Sequence, residues 1–306
     1  MIFLKHLSVC EEVYNLHISN EKLNPNPENT YEDMNVTKKK GYMRTGNLLV
    51  KQFCTRQSMG CAAAFEVVTA IRKMLYDKSE INIVFAAAPS QNEFLTELAK
   101  DTVIDWNRIN AFHMDEYIGL SHEAPQRFGN FLYNKLFSKL AFHAVYYIDG
   151  NASDSKKECN RYANLLNENP IDIVCMGIGE NGHIAFNEPH VAKFNDPLLV
   201  KKIELDFRSR QQQVNDGCFK ALTDVPTHAI TLTIPALMSG SRMFCIVPAH
   251  SKAEAVFNVV YGHVSETCPA SIIKTHPNAV LYLDCESGKK VFFSNDNKKE
   301  MNDITK

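Results

Sequence analysis

From about residue 48 onward, hydrophobic and polar positions follow two patterns of spacing that alternate along the chain. Stretches with apolar residues at helical spacing alternate with short runs of apolar and β-branched residues, the pattern of buried strands. This alternation predicts βα units that build a largely parallel sheet. The predicted helices are Ser58–Tyr76, Gln91–Lys100, Phe128–Leu140, Ser155–Leu166 and Ser251–Tyr261. The predicted strands are Ile81–Ala87, Ile109–Met114, Val145–Ile148, Ile171–Met176, Ile230–Ile234, Met243–Val247 and Val280–Leu283.

These elements predict a single α/β domain, in which a doubly wound, mostly parallel sheet carries helices on both faces. We assign residues 47–295 to this domain and residues 296–306 to a polar C-terminal tail. Residues 1–46 are predicted to be an N-terminal extension that is partly a disordered linker. Its residues 20–43 hold prolines, asparagines, acids and a lysine run, with little apolar surface to bury. Met43 is a second candidate for the natural start.

The composition and net charge of the chain argue against nucleic acid and membranes as its partners. The 306 residues are 45% hydrophobic, enough for a sizeable core, and their formal net charge is -2. Such a chain has no overall field toward nucleic acid or an anionic membrane, and no apolar stretch reaches the length of a membrane-spanning helix. The nine cysteines form no C-x-x-C pair, which favours reduced thiols in a cytoplasmic protein.

The stretch GIGENGHIAFNEP, residues 177–189, opens with the glycine spacing of a dinucleotide-binding turn. That turn needs a strand before it and a helix beginning at its last glycine. The strand is predicted, but Pro189 and Pro197 disfavour the helix, so a nucleotide site is disfavoured. The stretch instead predicts a glycine-rich loop at the carboxyl end of a buried strand, where it presents His183 and Glu188.

Two other predicted strands also end on polar residues. One runs through Ala88, Pro89 and Ser90 into a helix, with Ser90 as the expected N-cap and free N–H groups available to an anion. The other ends on Asp115 and Glu116, and a carboxylate sheltered by apolar neighbours can act as a general base. Both features also have a plain structural interpretation, as a capped βα turn and as a turn carboxylate.

A metal site built from His183, Glu188 and His190 is disfavoured, because their spacing matches no standard ligand pattern. No serine nucleophile elbow is present either. A base carboxylate, a titratable histidine and a helix start at three strand ends together predict proton transfer on a small phosphorylated substrate.

The motifs NAFHMDEYIGL (110–120) and CMGIGENGHIAFNEP (175–189) closely resemble the glucosamine-6-phosphate deaminase (isomerase) family, which shares its fold with 6-phosphogluconolactonases. SKAEAV (251–256) and PASIIKTHPNAVLYLD (269–284) look like later blocks of the same family, so the resemblance covers roughly 48–293. It implies conversion of glucosamine 6-phosphate, or a related hexosamine phosphate, and water to fructose 6-phosphate and ammonia. It also implies that no metal or organic cofactor is needed.

By the same resemblance, His183 opens the sugar ring and Asp115 moves a proton from C2 to C1. Glu188 is expected to orient His183 and to support its charged form, and Lys252 is expected to bind phosphate. Asn181 replaces an acid of the family just before the Gly-His pair, so the histidine keeps one carboxylate partner rather than two.

Two further departures fall in the phosphate site. Ala88, Ser90 and Gln91 replace a glycine-rich phosphate loop, and a family arginine falls on Gly217, for which Arg208 or Arg210 is a substitute. These changes predict a divergent subgroup whose substrate is another hexosamine or ketose phosphate. Members of the resembled family range from monomers to hexamers, so the resemblance allows a homo-oligomer for this chain. The alternatives are a non-deaminating sugar-phosphate isomerase, a 6-phosphogluconolactonase-like hydrolase, or a sugar-phosphate-binding regulator with little catalysis.

Overall fold

The computed structural model describes residues 41–292. Its helices are α1 (Arg56–Asp77), α2 (Asn92–Leu98), α3 (Phe128–Leu132), α4 (Ser155–Glu168), α5 (Phe207–Asn215), α6 (Ile234–Met238) and α7 (Ala253–Tyr261). Its strands are β1 (Gly41–Thr45), β2 (Leu48–Gln52), β3 (Ile81–Phe85), β4 (Ile109–His113), β5 (Asp115–Tyr117), β6 (Ala144–Tyr146), β7 (Ile173–Met176), β8 (Val200–Glu204), β9 (His228–Leu232), β10 (Arg242–Val247) and β11 (Ala279–Leu283).

The central sheet has eight strands in the order β1-β2-β11-β10-β7-β3-β4-β6. All neighbouring pairs are parallel except β1 and β2, which form an antiparallel hairpin at one edge. From β3 the chain first builds outward through β4 and β6, then returns to place β7 on the other side of β3. The predicted doubly wound, mostly parallel sheet is therefore confirmed, and its order reverses between β3 and β7.

Side chains that alternate along the central strands divide the core into two layers. In β3, Ile81, Ile83 and Phe85 pack with the buried faces of α1 and α2. Val84, between them, packs on the opposite face with residues of α4, α6 and α7. Burial on both faces explains why these strands are nearly continuous apolar runs rather than alternating ones.

A second, three-stranded antiparallel sheet in the order β5-β9-β8 was not predicted. The segment predicted as Ile230–Ile234 belongs to this sheet as β9, not to the parallel one. A three-residue strand such as β5 carries too little periodicity to be recognised, so the sequence showed only the end of the preceding strand.

Two predicted helix starts are wrong in detail. Ser90 is not an N-cap: it lies inside a 3₁₀ turn, Pro89–Gln91, whose own cap Ala88 makes no side-chain bond, and α2 begins only at Asn92. Similarly, a 3₁₀ turn at His250–Lys252 precedes α7. The proline at the head of the first turn has no N–H to donate, which suits a tight turn before the helix.

The first strand, β1, lies inside the segment assigned to the extension, because Gly41 to Thr45 pair with β2. The rest of the predicted linker, residues 20–40, and the predicted tail, 296–306, lie outside the described residues. No disulfide joins any of the eight cysteines between residues 41 and 292, as expected for reduced thiols. In the same part of the chain, no helix is long and apolar enough to cross a membrane.

Candidate active site

The carboxyl ends of β3 and β7 open onto a cavity of about 130 Å³. This is the switch point of the sheet, where α/β folds bind ligands. Of the residues predicted for the site, Ala88, Ser90, Gln91, Asp115, His183 and Lys252 line the cavity. The remaining three, Asn181, Glu188 and Arg210, are not among its lining residues.

Asp115 and Glu116 point in opposite directions because successive side chains of a strand face opposite sides. Asp115 faces the cavity, and its backbone pairs with Thr231 of β9. Glu116 turns away and accepts hydrogen bonds from the N–H groups of Tyr117, Phe128 and Gly129, which fixes the start of α3. Asp115 therefore has the position expected of a general base, and Glu116 has that of a structural turn carboxylate.

The Asp115 carboxyl group is 6% exposed and makes no hydrogen bond within residues 41–292. Burial, and then the neighbouring charge of Glu116, raise its pKa well above the usual aspartate range. Its backbone is held by His113, whose Nδ1 donates to the Asp115 carbonyl at 2.8 Å while Nε2 accepts from Ile148 at 2.9 Å. A fixed, poorly solvated carboxylate of raised pKa is suited to accepting a proton.

The loop that carries His183 is tied to the same β9 strand that pairs with Asp115. Phe186 N–H donates to the Thr231 hydroxyl at 3.1 Å, and the Asn187 amide donates to the Leu232 carbonyl at 2.7 Å. Within the loop, Gly179 N–H donates to the His183 carbonyl at 2.9 Å. These bonds place His183 and Asp115 on one wall although the two lie far apart in sequence.

Asn181 determines which nitrogen of His183 carries the proton. Its Oδ1 accepts from the backbone N–H of His183 at 3.2 Å, which requires the amide oxygen on that side. The same oxygen lies 2.6 Å from Nδ1, so Nδ1 must be the donor. Nε2 is then left with its lone pair, as a base or acceptor for a ligand in the cavity.

Lys252 supplies a positive charge to the cavity. It is 6% exposed, and its ammonium group makes no hydrogen bond within the described part of the chain. Burial lowers its pKa, while Asp216 and Glu180 oppose that effect. A buried cation without a partner that lines a cavity is suited to binding an anion.

The sequence pattern that defines the glucosamine-6-phosphate isomerases/6-phosphogluconolactonase family matches residues 55–282. The chain belongs to this family. Glucosamine-6-phosphate deaminases of Bacillus cereus and Bacillus anthracis are each 36% identical to it over 217 residues, which is 71% of this chain and 80% of theirs.

Solved structures of the family share the fold. A monomeric glucosamine-6-phosphate deaminase of the NagB superfamily aligns with a TM-score of 0.72 at 26% identity, over 81% of this chain and 99% of that one. A 6-phosphogluconolactonase from Thermotoga maritima aligns with a TM-score of 0.64 at 18% identity, over 78% and 99% of the two chains. At that identity the lactonase supports the fold alone.

The electrostatics of His183 differ from the expectation based on the family resemblance. Burial and the nearby Lys252 charge lower its pKa to about 3, although Asp206 acts in the opposite direction. The imidazole is therefore neutral near pH 7, with Nε2 unprotonated. This environment disfavours the charged imidazole that the family resemblance implies.

We expect Asn181→Asp to raise the pKa of His183 by roughly one to three units, because a carboxylate would replace the amide oxygen beside Nδ1. NMR titration of the His183 ring measures the change directly. Asn151→Asp, at an exposed position outside the cavity lining, is the matched control and should leave the titration in place. An unchanged His183 titration in Asn181→Asp would contradict the assigned contact.

Glu188 is not a direct partner of His183, which corrects its expected role. Its Oε2 accepts from the Asp206 N–H at 2.9 Å. The Ser209 hydroxyl lies 3.3 Å from His183 Nδ1. Burial raises the pKa of Glu188, and its interaction with Ser209 acts in the opposite direction. No hydrogen bond joins Glu188 to the His183 ring within residues 41–292, and Asn181 makes the direct contact.

A group able to hold a cation lies beside the cavity. Glu188, His190 and Asp206 bring one ligand atom each within 4.8 Å of one another, whereas His183 is not part of the group. The three side chains already have partners within the protein. Asp206 caps α5 by accepting from the Ser209 N–H at 2.7 Å, and His190 lies 3.6 Å from the buried Glu188 carboxylate. These contacts give the cluster a structural role without an ion.

Arg210 is not placed to touch a ligand in the cavity. Its guanidinium donates to the carbonyl groups of Leu222 and Val225 at 2.8 and 2.9 Å, which anchors α5 to the following turn. Sequence reasoning missed five polar residues that do line the cavity: Arg56, Gln212, Gln213, Asp216 and Ser251. Gln212, Gln213 and Asp216 lie on α5 or just after it, shortly before Gly217, and no local motif marks them.

Proposed function

We propose that the protein is a hexosamine-phosphate deaminase that converts glucosamine 6-phosphate, or a close relative, and water to a ketose phosphate and ammonia. The observation that carries the proposal is that Asp115 and the unprotonated Nε2 of His183 meet in one cavity with the unpartnered cation of Lys252. Relatives at 36% identity that bear the name glucosamine-6-phosphate deaminase support the same reaction.

In this proposal, neutral His183 opens the sugar ring. Nε2 takes the proton from the anomeric hydroxyl group and returns it to the ring oxygen, so the imidazole ends in its starting state. Nδ1–H stays on Asn181 throughout. The low pKa of His183 suits this shuttle, because a histidine protonated at rest would have no site for the first proton.

Asp115 then acts on the open-chain sugar. Its carboxylate removes the proton from C2 and returns it to C1. O1 gains a proton and the amino group loses one, so the molecule passes through an enolamine to an imine at C2. Water hydrolyses that imine to the ketose and ammonia. The raised pKa of Asp115 brings it closer to the acidity of the carbon acid and so favours the transfer, provided the pH is high enough to ionise it.

A panel of 6-phosphosugars assayed for both ammonia and ketose tests the proposal. We expect equal amounts of the two products from a hexosamine 6-phosphate. Ketose without ammonia would indicate a non-deaminating isomerase, and hydrolysis of a lactone alone would indicate a lactonase. Binding without turnover of any hexosamine phosphate would indicate a regulator, and each of these results would overturn the proposal.

The identity of the hexosamine, assembly into a homo-oligomer and a cytoplasmic location remain predictions from the sequence. The same panel separates epimers of the hexosamine phosphate. Light scattering at several protein concentrations measures the mass of the particle, and a mass of one chain throughout would contradict the oligomer.

A further inference from the structure

Arg56 lines the cavity but belongs to an element outside the motifs that carry the family resemblance. It is the first residue of α1, which follows the N-cap Thr55. Its Nε and Nη2 donate to the two carboxylate oxygens of Glu93 at 3.0 and 2.9 Å, and Nη2 also donates to the Pro89 carbonyl at 3.1 Å. The guanidinium is thereby held against the turn that replaces a phosphate loop.

Close packing of two helices sets this position. A Cβ at Gly60, one helical turn after Arg56, would lie 2.7 Å from the Cβ of Glu93, so only glycine allows α1 to approach α2 this closely. The Arg56–Glu93 pair lies directly beyond that contact. The orientation of Arg56 is therefore built into the helix pair rather than left to a flexible surface side chain.

The Pro89–Gln91 turn is bonded to Arg56 at one end and to strand β10 at the other. Arg56 bonds one end of it at the Pro89 carbonyl, whereas the Gln91 amide donates to the Ile246 carbonyl of β10 at 3.1 Å. The chain continues from β10 to Lys252, which lines the same cavity. Ser90, whose hydroxyl group is at the centre of this turn, also lines it.

The charge balance of the cavity calls for a second cation. A phosphate monoester carries close to two negative charges near neutral pH. Lys252 offers one positive charge and faces the opposing carboxylate of Asp216, which lines the same cavity. Arg56 is the other arginine or lysine among the lining residues in the described chain, and its Nη1 makes no hydrogen bond there.

We propose that Arg56 is the second phosphate-binding residue of the site and takes the place of the arginine that the sequence comparison left at Gly217. The inference rests on the proposed function, since it assumes a phosphosugar in the cavity. A guanidinium that holds Glu93 along one edge keeps a planar donor for a phosphate oxygen on its remaining nitrogen.

Titration calorimetry with fructose 6-phosphate, and with fructose as the unphosphorylated control, tests this role on the full chain. We expect Arg56→Ala to weaken fructose 6-phosphate binding roughly ten- to a hundredfold, the effect of one lost charged hydrogen bond. Lys252→Ala is the reference variant, and we expect it to weaken fructose 6-phosphate binding by a similar or larger factor. Binding of fructose should change little in either variant.

Glu93→Gln separates phosphate binding from a purely structural brace. It breaks the same ion pair but keeps the Arg56 charge, so we expect fructose 6-phosphate to bind as tightly as in the native chain or a few-fold more tightly. Equal weakening by Arg56→Ala and Glu93→Gln would overturn the proposal, because both would then act by loosening the turn. Native-like binding by Arg56→Ala would also overturn it.

Failure of the broader function gives a different pattern. If the native chain binds neither fructose 6-phosphate nor inorganic phosphate, the hexosamine-phosphate function and the role of Arg56 both fall. If the native chain binds fructose 6-phosphate and Lys252→Ala weakens it while Arg56→Ala does not, only the role of Arg56 falls.

Discussion

Asp115→Asn is expected to keep the fold and to lose turnover by roughly 10²- to 10⁴-fold, the usual contribution of a general base. The amide fills the same space and leaves the backbone pairing of Asp115 with Thr231 intact, but it cannot take the C2 proton. Replacing a buried carboxyl group of raised pKa also removes repulsion with Glu116. Thermal stability should therefore be unchanged or slightly higher while ammonia release falls.

Glu116→Gln is the matched control, since the two acids are adjacent. The Glu116 carboxylate accepts from the N–H groups of Tyr117, Phe128 and Gly129, and an amide offers only one accepting oxygen. We expect a loss of about 1–3 kcal/mol in the free energy of unfolding. Catalysis per folded molecule should fall far less than in Asp115→Asn. Near-normal turnover by Asp115→Asn would eliminate it as the base.

The sheet and the histidine loop could be predicted from sequence because their signals are local. The apolar run Ile171–Met176 predicts a buried strand, and β7 spans Ile173–Met176. Prolines after the glycine pattern disfavoured the nucleotide-binding helix, and the structure has a loop there that presents His183 to the cavity. Because parallel sheets bind ligands at the carboxyl ends of their strands, Asp115 and His183 were expected to lie in the same site.

The rest of the site depends on contacts between distant segments. Arg56 lies on α1, between β2 and β3 in the sequence, and the close contact of α1 with α2 at Gly60 brings it against the Pro89–Gln91 turn. Glu188 lies in the recognised motif, yet its carboxylate turns toward Asp206 and Ser209. Spacing along the chain records which residues are near a strand end, but it does not record the direction in which each side chain leaves the backbone.

The same distinction explains the error at Arg210. Two arginines near Gly217 were reasonable substitutes by sequence distance, because α5 runs beside the cavity. A helix exposes only part of its surface to any one neighbour, and Gln212, Gln213 and Asp216 occupy the cavity side while Arg210 bonds the carbonyl groups of the next turn. No arginine of α5 lines the cavity, so none there takes the place of the arginine expected at Gly217.

Gly179→Ala is expected to lower kcat/KM by roughly 10²-fold or more, through displacement of the catalytic ring. A Cβ at Gly179 would lie 2.0 Å from Cε1 of His183 and 2.3 Å from each ring nitrogen, so the ring must move. Backbone strain is not the cause, because Gly179 is not among the glycines with positive φ. Movement of the ring would break the 2.6 Å contact of Nδ1 with Asn181 and turn Nε2 away from its place.

A double-mutant cycle with His183→Gln tests whether the effect of Gly179→Ala passes through His183. Glutamine cannot shuttle the proton, so His183→Gln alone should cost roughly 10²- to 10⁴-fold in kcat/KM. Once the imidazole is gone, the methyl group at position 179 has no ring left to displace. The double variant should then be no slower than His183→Gln, which is the strong non-additivity expected of residues in contact. If the two losses in kcat/KM instead multiply, Gly179 affects the reaction by another route, and the assigned packing of glycine against the histidine ring is not what catalysis requires.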